Sequence, residues 1–381
     1  MAAELRPEVS ATAQSGAAHA LARPEVSAPQ GRTSLAQDGS PGLDQSNRFG
    51  PGGTADVPTS RVTLISAPPL PENWTGKNNA MSAGAKIAKG KWLLFTDADT
   101  IHKPGSLARA VAEAEEHGVA LLSYSPEQEV RTFVEKAVMP VIFAELAATY
   151  PPSKVRDPNS PIAAANGQYL LISREAYEAL GGHTKIANDL LEDVAMAKLV
   201  KSSGRKIWFR YAPDAVRTRM YRSWTQMKEG WTKNLALLFH SVWALACWRM
   251  SEFLLACSLL VGAIEMRVIT HLWGPSVFQL VLALLGTLYF WMRIRHAHFS
   301  FSRSLLAFVG LPLVAYLLFR SARLQKSGVT WKGRAYRTSA RTVTPEGDVF
   351  AASLALLMTA ASALFLLAVP LFIAGLAIFG R

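Results

Sequence analysis

Cysteine is nearly absent from this sequence. Of 381 residues only Cys247 and Cys257 are cysteine, and both lie in apolar stretches. That excludes a disulfide framework and a cysteine-based zinc site. No apolar run follows Met1, so a secretory signal peptide is not expected. The first 60 residues carry no sustained hydrophobic period. They are rich in Ala, Pro, Ser and Gly, and Arg6-Pro7-Glu8-Val9-Ser10-Ala11 recurs as Arg23-Pro24-Glu25-Val26-Ser27-Ala28. Such a segment buries too little apolar surface to offset its ordering entropy, and residues 1–60 are expected to be disordered. Acidic side chains are the minority charge: 28 Asp and Glu stand against 40 Lys and Arg, for a net charge of +12. That balance suits either nucleic acid or an anionic membrane surface. Half of the residues are hydrophobic and they concentrate beyond Asn234, so a membrane is the expected partner and nucleic acid is not.

What is present is organised around Lys91-Trp92-Leu93-Leu94-Phe95-Thr96-Asp97-Ala98-Asp99. Trp92 to Phe95 is a short apolar run bounded by Gly90 and by two carboxylates. It reads as a buried strand whose carboxyl end opens into a polar site. In open parallel sheets ligands sit beyond those ends. Asp97 and Asp99 are two apart, and a turn that brings them to one point makes an oxygen-rich site suited to Mg²⁺ or Mn²⁺. The plain alternative is that one Asp caps the turn and the other is solvated.

Order is expected from about Arg61, with a β-rich run Val62 to Ile65 stopped by Pro68-Pro69. A loop through Trp74 to Lys77 leads into a helix over Asn78 to Ala88. Helices are expected over Pro104 to His117, over Arg131 to Thr149 with a break at Pro140, and over Arg174 to Leu180. Strands are expected over Val119 to Tyr124, Gln168 to Ser173 and Lys206 to Tyr211. The alternation argues for an α/β fold with a parallel sheet. Ala163 to Gly167 is a small-residue turn: it either admits a ligand to the backbone or simply turns tightly. Glu192-Asp193 opens a helix running to Ser203. Acidic residues are frequent in a first turn, where the helix dipole favours them. The functional alternative is a general base acting on a hydroxyl.

Arg217 to Lys233 is basic, with Tyr221, Trp224 and Trp231 interleaved, as at a membrane interface. Candidate membrane segments are Phe253 to Trp273, Val277 to Met292, Leu305 to Phe319 and Val349 to Phe379. The middle two are short enough to form a hairpin or a re-entrant pair. A second basic tract, Arg320 to Arg341, belongs on the same, cytoplasmic, side as the first. An even number of crossings is therefore required between them. Three candidates give an odd number, so one should lie in the interface. The expected organisation is a disordered segment (1–60), a catalytic domain (61–216), a basic-aromatic interfacial region (217–250), and transmembrane helices with a basic loop at 320–341 (251–381).

An ordered set of motifs runs through roughly residues 60–380: Pro69-Leu70-Pro71, Trp74-x-Gly76-Lys77, Phe95-Thr96-Asp97-Ala98-Asp99, Ala165-Asn166-Gly167, Leu191-Glu192-Asp193-Val194, Met220-Tyr221-Arg222, Gly230-Trp231-x-Lys233-Asn234 and Trp331-Lys332-Gly333-Arg334-x-Tyr336. Together they resemble the membrane-bound family 2 glycosyltransferases, above all the hopanoid-associated and carotenoid-type bacterial members. The resemblance implies a GT-A type, Rossmann-like, mostly parallel sheet followed by C-terminal transmembrane or interfacial helices. It implies inverting transfer from a nucleotide-sugar donor, a UDP-sugar, to a lipid acceptor at the cytoplasmic face of the inner membrane.

By the same resemblance Asp97 and Asp99 hold Mg²⁺ or Mn²⁺, and Asp193 is the base with Glu192 as its alternative. Lys77 and Arg222 are cations for the donor, and Lys332 is a further candidate. Asn166, Gly167, Trp224 and Trp231 face the acceptor or the interface. Arg219-Met220-Tyr221-Arg222-Ser223-Trp224 resembles the Gln/Arg-x-x-Arg-Trp motif of processive and ceramide-type relatives, with Ser223 inserted. The sequence departs from the family at its start. There is no first strand and no Ala-Arg-Asn-Glu-like turn, and Asp44-Gln45-Ser46 is at most a trace of the element that grips uracil and ribose. The sheet is therefore expected to lack its first strands. Two functions follow: an active transferase, or an inert, N-terminally truncated relative.

Overall fold

A computed structural model describes residues 63–269, 271–327, 329–331 and 334–336. The expectations for residues 1–60, for Asp44, for Lys332 and for the Val349–Phe379 segment lie outside the described residues. Helix α1 (Gly76–Ile87) starts at Thr75, whose side chain accepts from the Asn78 N–H and so satisfies one of the free donors of the first turn. Strand β1 (Trp92–Phe95) follows, then β2 (Thr100–His102), α2 (Ser106–Glu116), β3 (Leu121–Ser125) and β4 (Glu127–Gln128). Helices α3 (Phe133–Thr149) and α4 (Pro152–Arg156) lead to β5 (Leu170–Ser173), α5 (Arg174–Ala179), α6 (Glu192–Ser202), β6 (Ile207–Tyr211) and β7 (Val216–Thr218). Beyond them come α7 (Trp224–Leu238), α8 (Val242–Val268), α9 (Trp273–Arg295), α10 (Phe301–Ser304), α11 (Ala307–Ser327), and the pair β8 (Val329–Trp331) and β9 (Arg334–Tyr336).

The expectation of a mostly parallel, Rossmann-like sheet is corrected. The main sheet has the order β1-β5-β3-β6. β5 runs antiparallel to both β1 and β3, and only β3 and β6 are parallel, with Leu121 opposite Ile207. A second sheet has the order β2-β7-β4, with β2 antiparallel and β4 parallel to β7. Side-chain alternation has the same period in parallel and antiparallel strands, so it could not report direction. Direction is set by the path: the chain leaves β3 for α3 and α4 and re-enters β5 through the turn at Asn166 to Tyr169, where the Tyr169 N–H donates to Asn166 O. The expected strand over Val62 to Ile65 is also corrected, since Thr63 to Ile65 have no regular structure. Nor does Pro140 interrupt α3, which runs through it. Met139, Val141 and Ile142 of that helix are buried in a core shared with α7, α9 and α11, and this packing outweighs the lost backbone bond.

Helices α8, α9 and α11 are each long and apolar enough to cross a membrane. α8 and α9 form a hairpin. It is tied to α3 at its base by Arg249 and Arg293, which pair with Glu145 at 3.6 and 2.5 Å. Arg293 also pairs with Glu252 at 3.2 Å. Further out the hairpin exposes a continuous apolar surface that includes Leu260, Ile264, Phe278, Leu284 and Leu285. α11 packs along α8 and also against α3 and α7. A side chain at Gly310 would collide with the Ala137 carbonyl oxygen in α3. At its other end, Ser321 Oγ donates to Thr232 O and accepts from the Ala236 N–H, at 2.6 and 2.9 Å. Val277 to Met292 is part of a full-length helix, α9, rather than a short re-entrant segment.

Candidate active site

The site forms where the carboxyl end of β1, the first turn of α1, the first turn of α6 and the turn before β5 converge. Lys77, in the first turn of α1, reaches across to both acidic motifs. Its Nζ lies 2.8 Å from Asp97 Oδ1 and 2.6 Å from Glu192 Oε1. The start of α1 is clamped in place by Asn78, whose Nδ2 donates to the carbonyls of Ile186, Ala187 and Asp189 at 2.7–3.1 Å. Asp193 is held by two backbone donors: Gly167 N–H to Oδ2 and its neighbour Val194 N–H to Oδ1, both at 2.8 Å. Each oxygen keeps a lone pair free.

Electrostatics follow from this crowding. Burial opposes the charge on Lys77, but Glu192, Asp97 and Asp193 outweigh it and hold the ammonium well above the usual lysine range. Burial and the charge of Glu192 raise the Asp193 carboxyl above the ordinary aspartate range, against Lys77 and the two N–H donors. Burial in the cavity and the charge of Asp97 likewise raise Asp99. Beneath β1, burial and Lys77 push His183 down to about 4. His183 is thus a neutral ring, 2.8 Å from Tyr177 Oη and edge-on to Phe95, which supports the strand from below.

Gly167 brings the backbone close against the acidic pair and Lys77. A Cβ there would stand 2.9 Å from Glu192 Oε1, 3.3 Å from Lys77 Nζ and 3.4 Å from Asp193 Oδ2. Gly167→Ala is expected to push the acidic pair away from Lys77 and to lower turnover by about tenfold or more, as misplacement at a reacting centre does. The comparison to make is kcat and KM in a variant whose far-ultraviolet circular dichroism is unchanged. A kcat equal to that of the parent would remove Gly167 from the site.

The sequence-derived candidates separate as follows. Lys77, Asp97, Asp99, Asn166, Gly167, Glu192, Asp193, Arg222 and Trp231 all line one cavity of ≈ 2490 Å³. Asn166 serves the turn itself: its N–H donates to Ser123 Oγ at 2.8 Å, and its Oδ1 accepts from the Gln168 N–H at 3.0 Å. One interface expectation is corrected. Trp231 is only 2% exposed and packs edge-on against Phe143 and Tyr221, so it builds the cavity wall instead of sitting among headgroups. Trp224 stays outside the cavity and tilts over Tyr316 of α11, with ring centroids 6.3 Å apart. Arg219, in the motif that resembles Gln/Arg-x-x-Arg-Trp, is a tie between elements, since its Nη2 lies 2.7 Å from Glu135 in the first turn of α3.

Two cavity groups had not been singled out for chemistry. Lys233 lines the cavity from α7, and burial lowers its ammonium against the pull of Glu192. Tyr221 fills the notch left by Gly230, where any Cβ would collide with its ring, and burial with the charges of Asp99 and Asp97 pushes its phenol up. The signal was the pairing of a tyrosine with a glycine nine residues on. It is visible only once α7 folds back.

Two acidic motifs bridged by a lysine lie on a mixed α/β core that carries apolar helices long enough to span a membrane. Residues 55–343 match the family model described as glycosyl transferase family 21, and the chain belongs to that family. This corrects the resemblance to family 2 and to its hopanoid- and carotenoid-type members. Short motifs of this kind do not separate one glycosyltransferase family from another. A search of curated proteins finds no match.

Proposed function

We propose that this chain is an inverting glycosyltransferase that moves a sugar from a nucleotide-sugar donor, a UDP-sugar, to a lipid alcohol at the cytoplasmic membrane face. The observation that carries the reading is the bridging of Asp97 and Glu192 by Lys77, with Asp193 beside them in one cavity. Asp193 takes the proton from the acceptor hydroxyl as the oxygen attacks the anomeric carbon. Gly167 and Val194 orient its two oxygens for that task. Lys77 and Arg222 place positive charge where the diphosphate departs. The cavity exceeds the 300–1,000 Å³ usual for one small ligand, which suits two substrates. Its far wall, with Phe143, Ala147, Leu238 and Phe299, is apolar and is built by the helices next to the membrane hairpin. That wall suits the lipid. The basic stretches beside α7 and at the end of α11 support a cytoplasmic orientation.

Asp97 and Asp99 sit on one turn and both face the cavity, and the charge of the first raises the carboxyl of the second. Crowded carboxylates of this kind fit a hard divalent cation. Among the described residues no cluster of three or more His, Cys, Asp or Glu groups is placed to hold a metal, so donor oxygens and water would complete the shell. Bound there by Asp97 and Asp99, Mg²⁺ or Mn²⁺ would supply charge to the leaving diphosphate. The test is calorimetric titration of the detergent-purified chain with UDP in the presence and absence of Mn²⁺. Binding is expected to require the metal and to vanish in Asp97→Ala/Asp99→Ala. A parent chain that does not bind UDP would overturn the reading in favour of an inert family member.

A further inference from the structure

A second cleft lies away from the active site, between the first turns of α8 and the last turns of α11. Its volume is ≈ 880 Å³, and it is lined by Trp243, Tyr316, Phe319, Arg320, Arg323 and Leu324, with Cys247 at its back. None of these residues lines the catalytic cavity. Trp243 and Phe319 close one wall, with ring centroids 5.2 Å apart. Arg320 and Arg323 stand three apart on one helix, hence on one face. Both are exposed, and neither has an ion-pair partner among the described residues. Elsewhere in the helical region the arginines at the base of the hairpin, Arg249 and Arg293, are paired with Glu145 and Glu252. Two guanidiniums without an ion-pair partner among the described residues thus stand over an aromatic and aliphatic wall.

The position of the cleft matters as much as its composition. α11 is bonded to α7 through Ser321, and α8 enters the apolar hairpin just beyond Trp243. The cleft thus lies beside the start of that hairpin, and a membrane crossed by the hairpin would set it near headgroup depth. Trp and Tyr favour that depth because one end of the ring is apolar and the other polar. Basic pockets between membrane helices on the cytoplasmic side take anionic headgroups. Arginine suits a phosphodiester better than lysine does, since its planar fork donates two parallel hydrogen bonds.

We propose that this cleft binds one anionic phospholipid, its phosphate held by Arg320 and Arg323 and the start of its acyl chains laid against Trp243, Phe319 and Leu324. The lipid fastens α11 to the first turns of α8, next to the helices that wall the catalytic cavity. The site is separate from the proposed acceptor path and does not depend on it.

The experiment is native mass spectrometry of the full chain released from nanodiscs of phosphatidylcholine with phosphatidylglycerol, counting the lipids retained. The parent is expected to hold one phosphatidylglycerol in preference to phosphatidylcholine. In Arg320→Gln/Arg323→Gln that preference should fall about thirtyfold, the product of two interfacial charges. Arg320→Lys/Arg323→Lys should keep part of it. Lys86→Gln/Lys89→Gln removes the same charge from an exposed part of the α/β core and should leave it intact. Equal retention by parent and Arg320→Gln/Arg323→Gln would overturn the proposal. So would an equal fall in the Lys86/Lys89 variant, which would mean general attraction to the surface. Complete displacement of the lipid by millimolar inorganic phosphate would also overturn it, since the apolar wall would then play no part. UDP binding provides an independent check that each variant is folded, and its loss in the parent alone would count against the proposed catalysis without touching the lipid site.

Discussion

Asp193→Asn is expected to lower turnover by at least about 10²-fold, the usual cost of losing a general base, while UDP binding changes little. The asparagine keeps the shape of the side chain and one acceptor oxygen, so either Gly167 or Val194 keeps its partner. What disappears is the capacity to accept a proton. Single-turnover rates and UDP affinity, measured on the same preparation, separate the two quantities. A variant that turns over at the parental rate would assign the base elsewhere, and Glu192, 2.6 Å from Lys77, would be the next candidate. The pH profile carries the same information with a definite sign. A base must be deprotonated, so activity is lost as pH falls through its folded pKa. Burial and Glu192 raise Asp193 above its ordinary value of 3.8, so the acidic limb is expected above that value, displaced toward neutrality. A limb at the ordinary aspartate position would show that Asp193 is not the titrating group.

Lys77→Met should be nearly as damaging, by about 10²- to 10³-fold, the range seen when a preorganised charge-stabilising donor is removed. Two effects act together. The cation nearest the expected leaving group is gone, and the charge that lowers the Asp193 pKa is gone with it. The acidic limb should therefore move further up, and part of the lost activity should return at higher pH. Lys77→Arg retains the charge and should keep the limb in place while losing some rate, because a planar guanidinium replaces a compact ammonium. If Lys77→Met lowered the rate without moving the limb, Lys77 would act on the donor alone and its bridge to the acidic pair would be incidental.

How much of this was legible beforehand can be argued residue by residue. Trp92 to Phe95 read as a strand because an apolar run of four ends at a polar turn, and β1 has those bounds. The helix at Glu192 was legible because carboxylates suit a helix start. The ends of the membrane helices were less so, since α8 begins at Val242, eleven residues before the apolar window was placed, with Arg249 and Glu252 inside it. Those charges look hostile to a membrane helix in a one-dimensional reading. They are accommodated because Glu145 of α3 completes a paired network around them.

Trp231 shows the converse. A tryptophan in a basic stretch has the same composition whether it faces headgroups or a core, and only the packing of α7 against α3 and α11 separates the two. The family was not resolved by motifs either, because catalytic residues answer to chemistry that several families share.

By itself the sequence determined much of the local detail: most of the helices and the longer strands, that the carboxyl end of β1 carries two aspartates, that an acidic pair opens α6, and that the later helices are apolar. These depend on periodicity and on residue type, both of which are local. The tertiary structure alone decided that β5 runs antiparallel, that Lys77 joins Asp97 to Glu192, that α11 packs along α8, α3 and α7, and that Arg320 and Arg323 face an apolar cleft. Each of these sets residues side by side that stand many positions apart, and the spacing of side chains along a chain carries no record of which distant segment will pack against them.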